Sequence, residues 1–448
     1  MLSHPEIFKA YDVRGIYPEQ LDADVAWALG VAFASLYERT KIVVGRDCRL
    51  SSPELEAAFV EGATDQGSDV VRLGLASTDM LYFASGRLDL PGAMFTASHN
   101  PPEYNGVKFC GPGAAPISED TGLGEIKNIA AKLDRKSFRP KPARGHVKEV
   151  DLLHEYAEHC RSFVDKDALV PAKIAVDAAN GMAGLVVPAV FEGLPFEICS
   201  LYFELDGNFP NHPPDPIQPE NLADLREKVL SERAALGLAF DGDADRVFIV
   251  DDKAEPLSGS TTTALVAKGI LAKHPGEKII YNLICSRAVP EIIRECGGTP
   301  IRTRVGHSFI KAVMAQTGAY FGGEHSGHYY FRDNYRADSG IIAALLVLEQ
   351  LSIEGKPLSE LRKPLERYVS SGEINTHVED QDQVLRKVAE AFSDGKQDWT
   401  DGLTVSYPEY WFNLRPSNTE PLLRLNMEAV SQEILDAQLP KVIEVVRG

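Results

Sequence analysis

Ser98 lies in the run Thr96-Ala97-Ser98-His99-Asn100-Pro101, directly after the small and apolar stretch Gly92–Phe95. A serine hydroxyl is a weak nucleophile at its ordinary pKa and needs a base or a charge-rich site to act. Polar residues between a strand and a helix start also offer backbone N–H groups to a phosphate. Ser98, His99 and Asn100 are therefore candidates for carrying or holding a phosphate. Taken alone, the run reads more simply as a turn capped before Pro101.

Three carboxylates alternate in Asp241-Gly242-Asp243-Ala244-Asp245-Arg246, after the apolar Leu238–Phe240. Such spacing in a turn can converge on one hard cation, and Mg²⁺ prefers oxygen ligands while leaving room for phosphate oxygens. An EF-hand loop requires Gly at its sixth position and Glu at its twelfth; Arg246 and Asp252 stand there, so that reading fails. Arg246 is placed to pair with the carboxylates or to meet a phosphate. A solvated acidic turn is the bland alternative, but clustering like charges has a cost that it leaves unexplained.

The run Gly322-Gly323-Glu324-His325-Ser326-Gly327-His328 carries polar side chains suited to sugar hydroxyls, with histidines able to bind phosphate or move a proton. His-x-x-His raises the question of zinc, yet no third ligand lies nearby. The run Arg415-Pro416-Ser417-Asn418-Thr419-Glu420-Pro421 supplies a planar guanidinium fork and several donors for a phosphate, and a plain turn between strands explains it equally well. Lesser candidates are Arg14 in Tyr11–Gly15, Lys108 after the Asn105-Gly106 turn, and Gly306-His307 in Val305–Ser308.

Something must hold these runs together. Three windows repeat one pattern. Lys41–Gly45 reads as a strand, followed by a helix with Ser51 at its cap and Pro53 in its first turn, then strand Val70–Leu73. Lys173–Val176, 181–191 and 196–202 repeat it, as do Lys278–Tyr281, 287–296 and 299–302. Strand–helix–strand units of this size imply right-handed crossovers and parallel pairing. Residues 134–150, with six basic side chains and two prolines, read as a solvated connector. The segment after Gly372 reads as a small α+β unit. The expected domains are 1–150, 151–253, 254–366 and 367–448.

The 448 residues suffice for several domains, and 44% hydrophobic with 25% charged residues is an ordinary soluble composition. No run reaches the ~20 apolar residues of a membrane span, and Met1–Lys9 holds no signal-like stretch. The expectation is a soluble, cytoplasmic protein without membrane partners, a monomer or homodimer. A net charge of −19 argues against nucleic acid, which needs a basic face. Any phosphate site must then be a local gathering of cations. The six cysteines form no C-x-x-C pair and read as free thiols.

In this order, T-A-S-H-N-P, D-G-D-A-D-R, G-E-H-S-G-H and R-P-S-N-T-E-P resemble the α-D-phosphohexomutase family, from Arg14 through Asn418. Asp206–Asn211 and Pro219-Glu220-Asn221 are also similar, and within the family the likeness is greatest to bacterial phosphomannomutases and phosphomannomutase/phosphoglucomutases. The resemblance implies three related α/β domains with mixed sheets and a smaller C-terminal α+β domain around a central cleft. It implies that Ser98 carries the phosphoryl group, and that Asp241, Asp243 and Asp245 bind Mg²⁺ with it. Glu324 and Ser326, flanked by His325, would hold sugar hydroxyls. Arg415, Ser417, Asn418 and Thr419 would clamp the phosphate the substrate already has. Arg14, Lys108, His307 and His328 match positions tied to phosphate binding or proton transfer, and Arg246 with Lys108 would add neutralising charge. The implied activity interconverts hexose 6-phosphate and hexose 1-phosphate, mannose and also glucose, through phospho-Ser98 and a hexose 1,6-bisphosphate. Rivals are a glucosamine-phosphate mutase, disfavoured by His325 where that branch tends to place Gln, an enzyme using Asp241 as nucleophile, and a non-catalytic phosphosugar binder.

Overall fold

A computed structural model of the chain describes residues 3–37, 40–416 and 422–448, with His307 described by its backbone alone. Four sheets succeed one another. The first runs Asp12–Ile16, Tyr104–Gly111, Gly92–Phe95, Ile42–Arg46, Val70–Leu75, Val147–Glu149. The second runs Val247–Asp251, Leu236–Phe240, Ala172–Asp177, Phe196–Leu201. The third runs Thr299–Thr303, Lys278–Asn282, Phe321–Gly323, Tyr329–Phe331. The fourth is antiparallel throughout: Val369–His377, Leu422–Ala429, Tyr410–Pro416, Leu403–Ser406, Lys396–Asp398. Three mixed α/β sheets and a C-terminal α+β unit agree with the expected class.

The repeated windows form as their patterns require. Ile42–Arg46 pairs in parallel with Val70–Leu75, Ala172–Asp177 with Phe196–Leu201, and Lys278–Asn282 with Thr299–Thr303. Their apolar runs are buried because helices cover the sheet. Each of the first three sheets then adds one antiparallel strand. It is reached by a turn from the parallel strand it pairs with: Gly92–Phe95 into Tyr104–Gly111, Leu236–Phe240 into Val247–Asp251, Phe321–Gly323 into Tyr329–Phe331. Those three turns hold Ser98, the three aspartates and Glu324. The fourth motif begins within Tyr410–Pro416, whose last two residues are Arg415 and Pro416, and precedes its antiparallel partner Leu422–Ala429. Ser417, Asn418 and Thr419 lie outside the described residues.

Four local readings change. No helix follows the Ser98 turn; the chain doubles back as a strand. Asn105-Gly106 is inside that strand, where a Cβ on Gly106 would stand 2.2 Å from the carbonyl oxygen of Val13. Close strand approach, and no turn, explains this glycine. Ser51 precedes helix Ser52–Asp65 without capping it, since its hydroxyl accepts from the buried Asn105 side chain at 2.8 Å. Buried amides must find partners. The connector 134–150 is exposed for much of its length, yet Val147–Glu149 adds to the first sheet beside Val70–Leu75.

One apolar cluster runs from Val43 and Met94 through Val176 and Leu238 to Leu345 and Leu365, joining the first three sheets. The fourth sheet has its own cluster, with Val388, Phe412 and Val442 at its centre. Among the described residues no helix is long and apolar enough to cross a membrane.

Candidate active site

Ser98 takes a left-handed φ of 50°, a conformation most side chains avoid. The turn aims its hydroxyl into a neighbouring sheet's loop, where Oγ donates to Asp241 Oδ2 at 2.7 Å. Thr96 Oγ1 accepts from the Ser98 N–H at 2.9 Å, and His99 Nδ1 lies 3.3 Å from Ser98 Oγ. Gly242 is obligatory here, because a Cβ would lie 2.5 Å from the Ser98 carbonyl oxygen. The two turns thus interlock through backbone.

Asp241, Asp243 and Asp245 are buried, each offering an oxygen within 4.8 Å of the others. Lys108 reaches across from the first sheet, its Nζ donating to Asp243 Oδ2 at 2.7 Å and Asp245 Oδ2 at 2.6 Å. Arg246 turns back on its own loop, Nε to Asp241 Oδ2 at 2.9 Å. Burial pushes Asp241 up to about 7 against the pull of Arg246. Burial acts to raise Asp243 too, but Lys108 wins and holds it well below the usual carboxylate range. Burial and Asp243 raise Asp245. Lys108 is itself held charged, since its two carboxylates outweigh the cost of burial.

The donor set fits a hard divalent cation. Oδ1 of Asp243 and Oδ1 of Asp245 are buried without a hydrogen-bond partner. Unsatisfied buried carboxylate oxygens beside a serine hydroxyl are ligands waiting for a metal far more than they are structural anchors.

The third turn approaches from the other side. Glu324 is 2% exposed; Oε1 accepts from the N–H of Gly306 at 3.1 Å and Asn282 Nδ2 at 3.2 Å, and Oε2 from Tyr330 at 2.7 Å. His325 packs against Ser260 Oγ at 3.3 Å and burial lowers its pKa. Ser326 is half-buried. His328 Nδ1 lies 2.9 Å from Asp338 Oδ2, and the buried Lys311 pairs with Asp338 Oδ1 at 2.9 Å. Although burial opposes it, Asp338 and Asp245 together raise the pKa of His328. A ring nitrogen of His328 and oxygens of Asp245 and Asp338 come within 4.8 Å of one another. Gly306, with φ 125°, stands before the helix that begins at His307.

Arg14 meets the Ser98 turn through Asn100 Oδ1 and is itself paired with Asp12 at 2.7 Å. Desolvation keeps His99 neutral, its pKa well below the ordinary value. Arg415, from the fourth sheet, is 12% exposed, with Asp401 at 3.9 Å and Glu373 at 4.0 Å. Ser98, Lys108, the aspartates, Arg246 and His328 therefore converge, with Arg14, His99 and Asn100 beside them.

Several contributors escape the motifs. Thr78 opens helix Thr78–Leu88, and its hydroxyl donates to Asp243 Oδ2 at 2.6 Å while its N–H donates to the Asp243 carbonyl. The only sequence sign was Ser77, which caps that helix. Asn282, Tyr330, Lys311 and Asp338 are fixed by tertiary packing and carry no local signal.

The four family models for phosphoglucomutase/phosphomannomutase match in succession: alpha/beta/alpha domain I at 5–137, domain II at 154–255, domain III at 258–368, and the C-terminal domain at 373–445. A phosphomannomutase of Escherichia coli strain K12 is 40% identical over 433 residues, 94% of each chain. One from Methanocaldococcus jannaschii is 40% identical over 444 residues, 98% of this chain and 97% of that one. The crystal structure of a phosphoglucomutase/phosphomannomutase family protein from Burkholderia thailandensis superposes with a TM-score of 0.90 at 34% identity, covering 100% of this chain and 98% of that one.

Proposed function

Because the chain belongs to the phosphoglucomutase/phosphomannomutase family of phosphohexomutases, we propose that it interconverts mannose 6-phosphate and mannose 1-phosphate, and the glucose pair, with Ser98 as phosphoryl carrier. The observation that carries this reading is the hydrogen bond of Ser98 Oγ to Asp241 among three buried carboxylates, two of which, Asp243 and Asp245, keep an unsatisfied oxygen.

Phospho-Ser98 gives its phosphoryl group to the free hydroxyl of a hexose phosphate. The phosphorus–oxygen bond to Ser98 breaks as the bond to the sugar oxygen forms, and the hydroxyl proton leaves to a base. The hexose 1,6-bisphosphate turns end for end, and Ser98 takes back the other phosphoryl group. Such transfers ask mainly for positioning and charge neutralisation. Asp241, Asp243 and Asp245 would hold Mg²⁺, which supplies neutralisation of the phosphoryl oxygens. Lys108 and Arg246 add fixed positive charge, and Arg14 orients Asn100. Lys108 is locked between two carboxylates and stays protonated, so it serves as a cation. His328, with Nδ1 turned to Asp338, keeps Nε2 for the proton. His307, whose side chain lies outside the described residues, is assigned to phosphate binding by the family resemblance alone. Glu324, Ser326 and His325 meet the sugar, while Arg415 with Ser417, Asn418 and Thr419 clamps the distal phosphate. Since mannose and glucose differ only at C2, contacts to other hydroxyls admit both.

Two measurements test this. Incubation with hexose 1,6-bisphosphate followed by peptide mass spectrometry should place one phosphoryl group on Ser98; label on Asp241 would overturn the assignment. A kcat/KM comparison should rank mannose and glucose phosphates above glucosamine phosphate, and the reverse order would make the chain a glucosamine-phosphate mutase.

A further inference from the structure

Arg49 lies outside all four motifs, yet its side chain is fully buried against the turn that carries Ser98. Nη1 donates to the carbonyls of Pro101 at 2.7 Å and Tyr104 at 2.9 Å. Nη2 donates to the carbonyls of Ser98 at 2.8 Å and Asn100 at 2.6 Å. Nε stands 3.2 Å from Asp47 Oδ2, which balances the charge. Asp47 is in turn fixed by the Arg49 N–H at 3.0 Å and Ser52 Oγ at 2.6 Å. The ring of Phe209, from the second sheet's loops, lies 5.0 Å from the guanidinium carbon.

Taking Ser98 as the phosphoryl carrier, we propose that Arg49 is the positioning residue that sets the Ser98 turn, and that a lysine could not replace it. Pairing with Asp47 alone would need only a point charge. What needs the planar fork is the collection of four carbonyls spread over seven residues. The ladder between Gly92–Phe95 and Tyr104–Gly111 closes at Phe95–Val107, so the turn beyond it depends on other donors. The fork draws those carbonyls to one point and holds Ser98 at its left-handed φ. The Ser98 carbonyl is then gripped twice, by Nη2 and by the close approach of Gly242. That grip registers the serine against the three aspartates. It also places a buried positive charge one hydrogen bond from the residue that carries an anion.

Arg49→Lys and Arg49→Gly test this, alongside wild type, for kcat, KM and the rate of phosphoryl transfer from hexose 1,6-bisphosphate to Ser98. A misplacement on the order of 1 Å should lower kcat about 100-fold in Arg49→Lys with KM within about threefold, and slow Ser98 labelling in the same proportion. In Arg49→Gly, guanidinium ion should restore about tenfold of the lost rate where ammonium ion does not, since only the former rebuilds the fork. A cooperatively melting Arg49→Lys with wild-type kcat overturns the proposal. Should neither Arg49 variant fold, Phe209→Leu takes their place. It removes the aromatic face from the guanidinium and should lower kcat about fivefold at constant KM; wild-type kcat in that folded variant overturns the proposal equally. Absence of label on wild-type Ser98 would instead sink the carrier reading, so the two failures are distinct.

Discussion

The two ends of the proposed cleft are built differently. At the Ser98 end, Lys108, Arg246 and Thr78 meet their carboxylates at 2.6–2.9 Å, and Lys108 and Thr78 reach them from another domain. That end stands on a core shared by three domains. At the Arg415 end, the nearest carboxylates among the described residues are 3.9 and 4.0 Å from the guanidinium, and the domain beneath it has a core of its own. Its docking is largely polar: Arg287 donates to the carbonyls of Tyr407, Pro408 and Tyr410, and Asp401 accepts from the Val305 N–H at 3.1 Å. Phosphoryl transfer needs one immovable point. A substrate that binds in two orientations needs a clamp that yields. The molecule divides the two demands between a shared core and a separate one.

Mutation can break this division, beginning where the effect is largest. Ser98→Ala should lower kcat by at least about 10⁴-fold, ~5 kcal/mol in the barrier, with KM little changed. Activity close to wild type would end the contrast at once. Chelation should cost about 10³-fold, in keeping with several kcal/mol of charge stabilisation, and added Mg²⁺ should restore it. Full turnover in a rigorously metal-free preparation would mean the aspartates are structural.

The stiffness of the shared core can be read through Asp79. It accepts hydrogen bonds from Ser77, Tyr156 and Ser339, the last two belonging to the second and third domains. Burial raises its pKa to about 6 despite those three donors. A carboxyl whose folded pKa is raised favours folding most at low pH. That contribution is complete below the unfolded value near 3.9 and is lost as pH rises through about 6. Between pH 4 and 7, wild type should lose up to about 3 kcal/mol relative to Asp79→Asn, which stays neutral. Urea denaturation at both pH values measures it, and a constant difference would show that the junction is indifferent to this charge.

At the yielding end the effects should be milder. Arg415→Ala should raise KM about 10–100-fold, the range of one or two charge-assisted hydrogen bonds, and leave kcat within a few fold. A loss confined to kcat would place Arg415 in the transfer step and blur the contrast. Arg287→Ala, at the docking face, should change KM by about threefold, as expected of partly exposed polar contacts.

Much of this was legible in the chain itself. Apolar runs before each motif announced strands, and the alternating aspartates announced a cation site, because both signals are local. The reversal after Ser98 was not, since its left-handed φ goes with contacts to distant groups such as Arg49 and Gly242. Ser51 looked like a cap until the buried Asn105 claimed its hydroxyl. Glu324 read as a sugar ligand, and what the sequence did not show is that Asn282, Tyr330 and the Gly306 N–H hold its carboxylate in place. Local patterns report what a segment prefers; these residues report what another segment needs.

Ser98, the aspartates and Glu324 each occupy a turn between a parallel strand and its antiparallel neighbour, and Arg415 stands at the end of a strand of the fourth sheet. No one sheet therefore surrounds a ligand, and the cleft is a chamber whose walls belong to four separate pieces. On the proposed mechanism, how long the doubly phosphorylated sugar would stay inside is a matter of the spacing between pieces. A chain with perfect transfer chemistry but a loosened fourth wall would let the bisphosphate drift off before its second transfer. It would be left with a bare serine and would stall until a fresh bisphosphate arrived. Fidelity of retention, and with it any dependence on added activator, would then follow from how the walls meet.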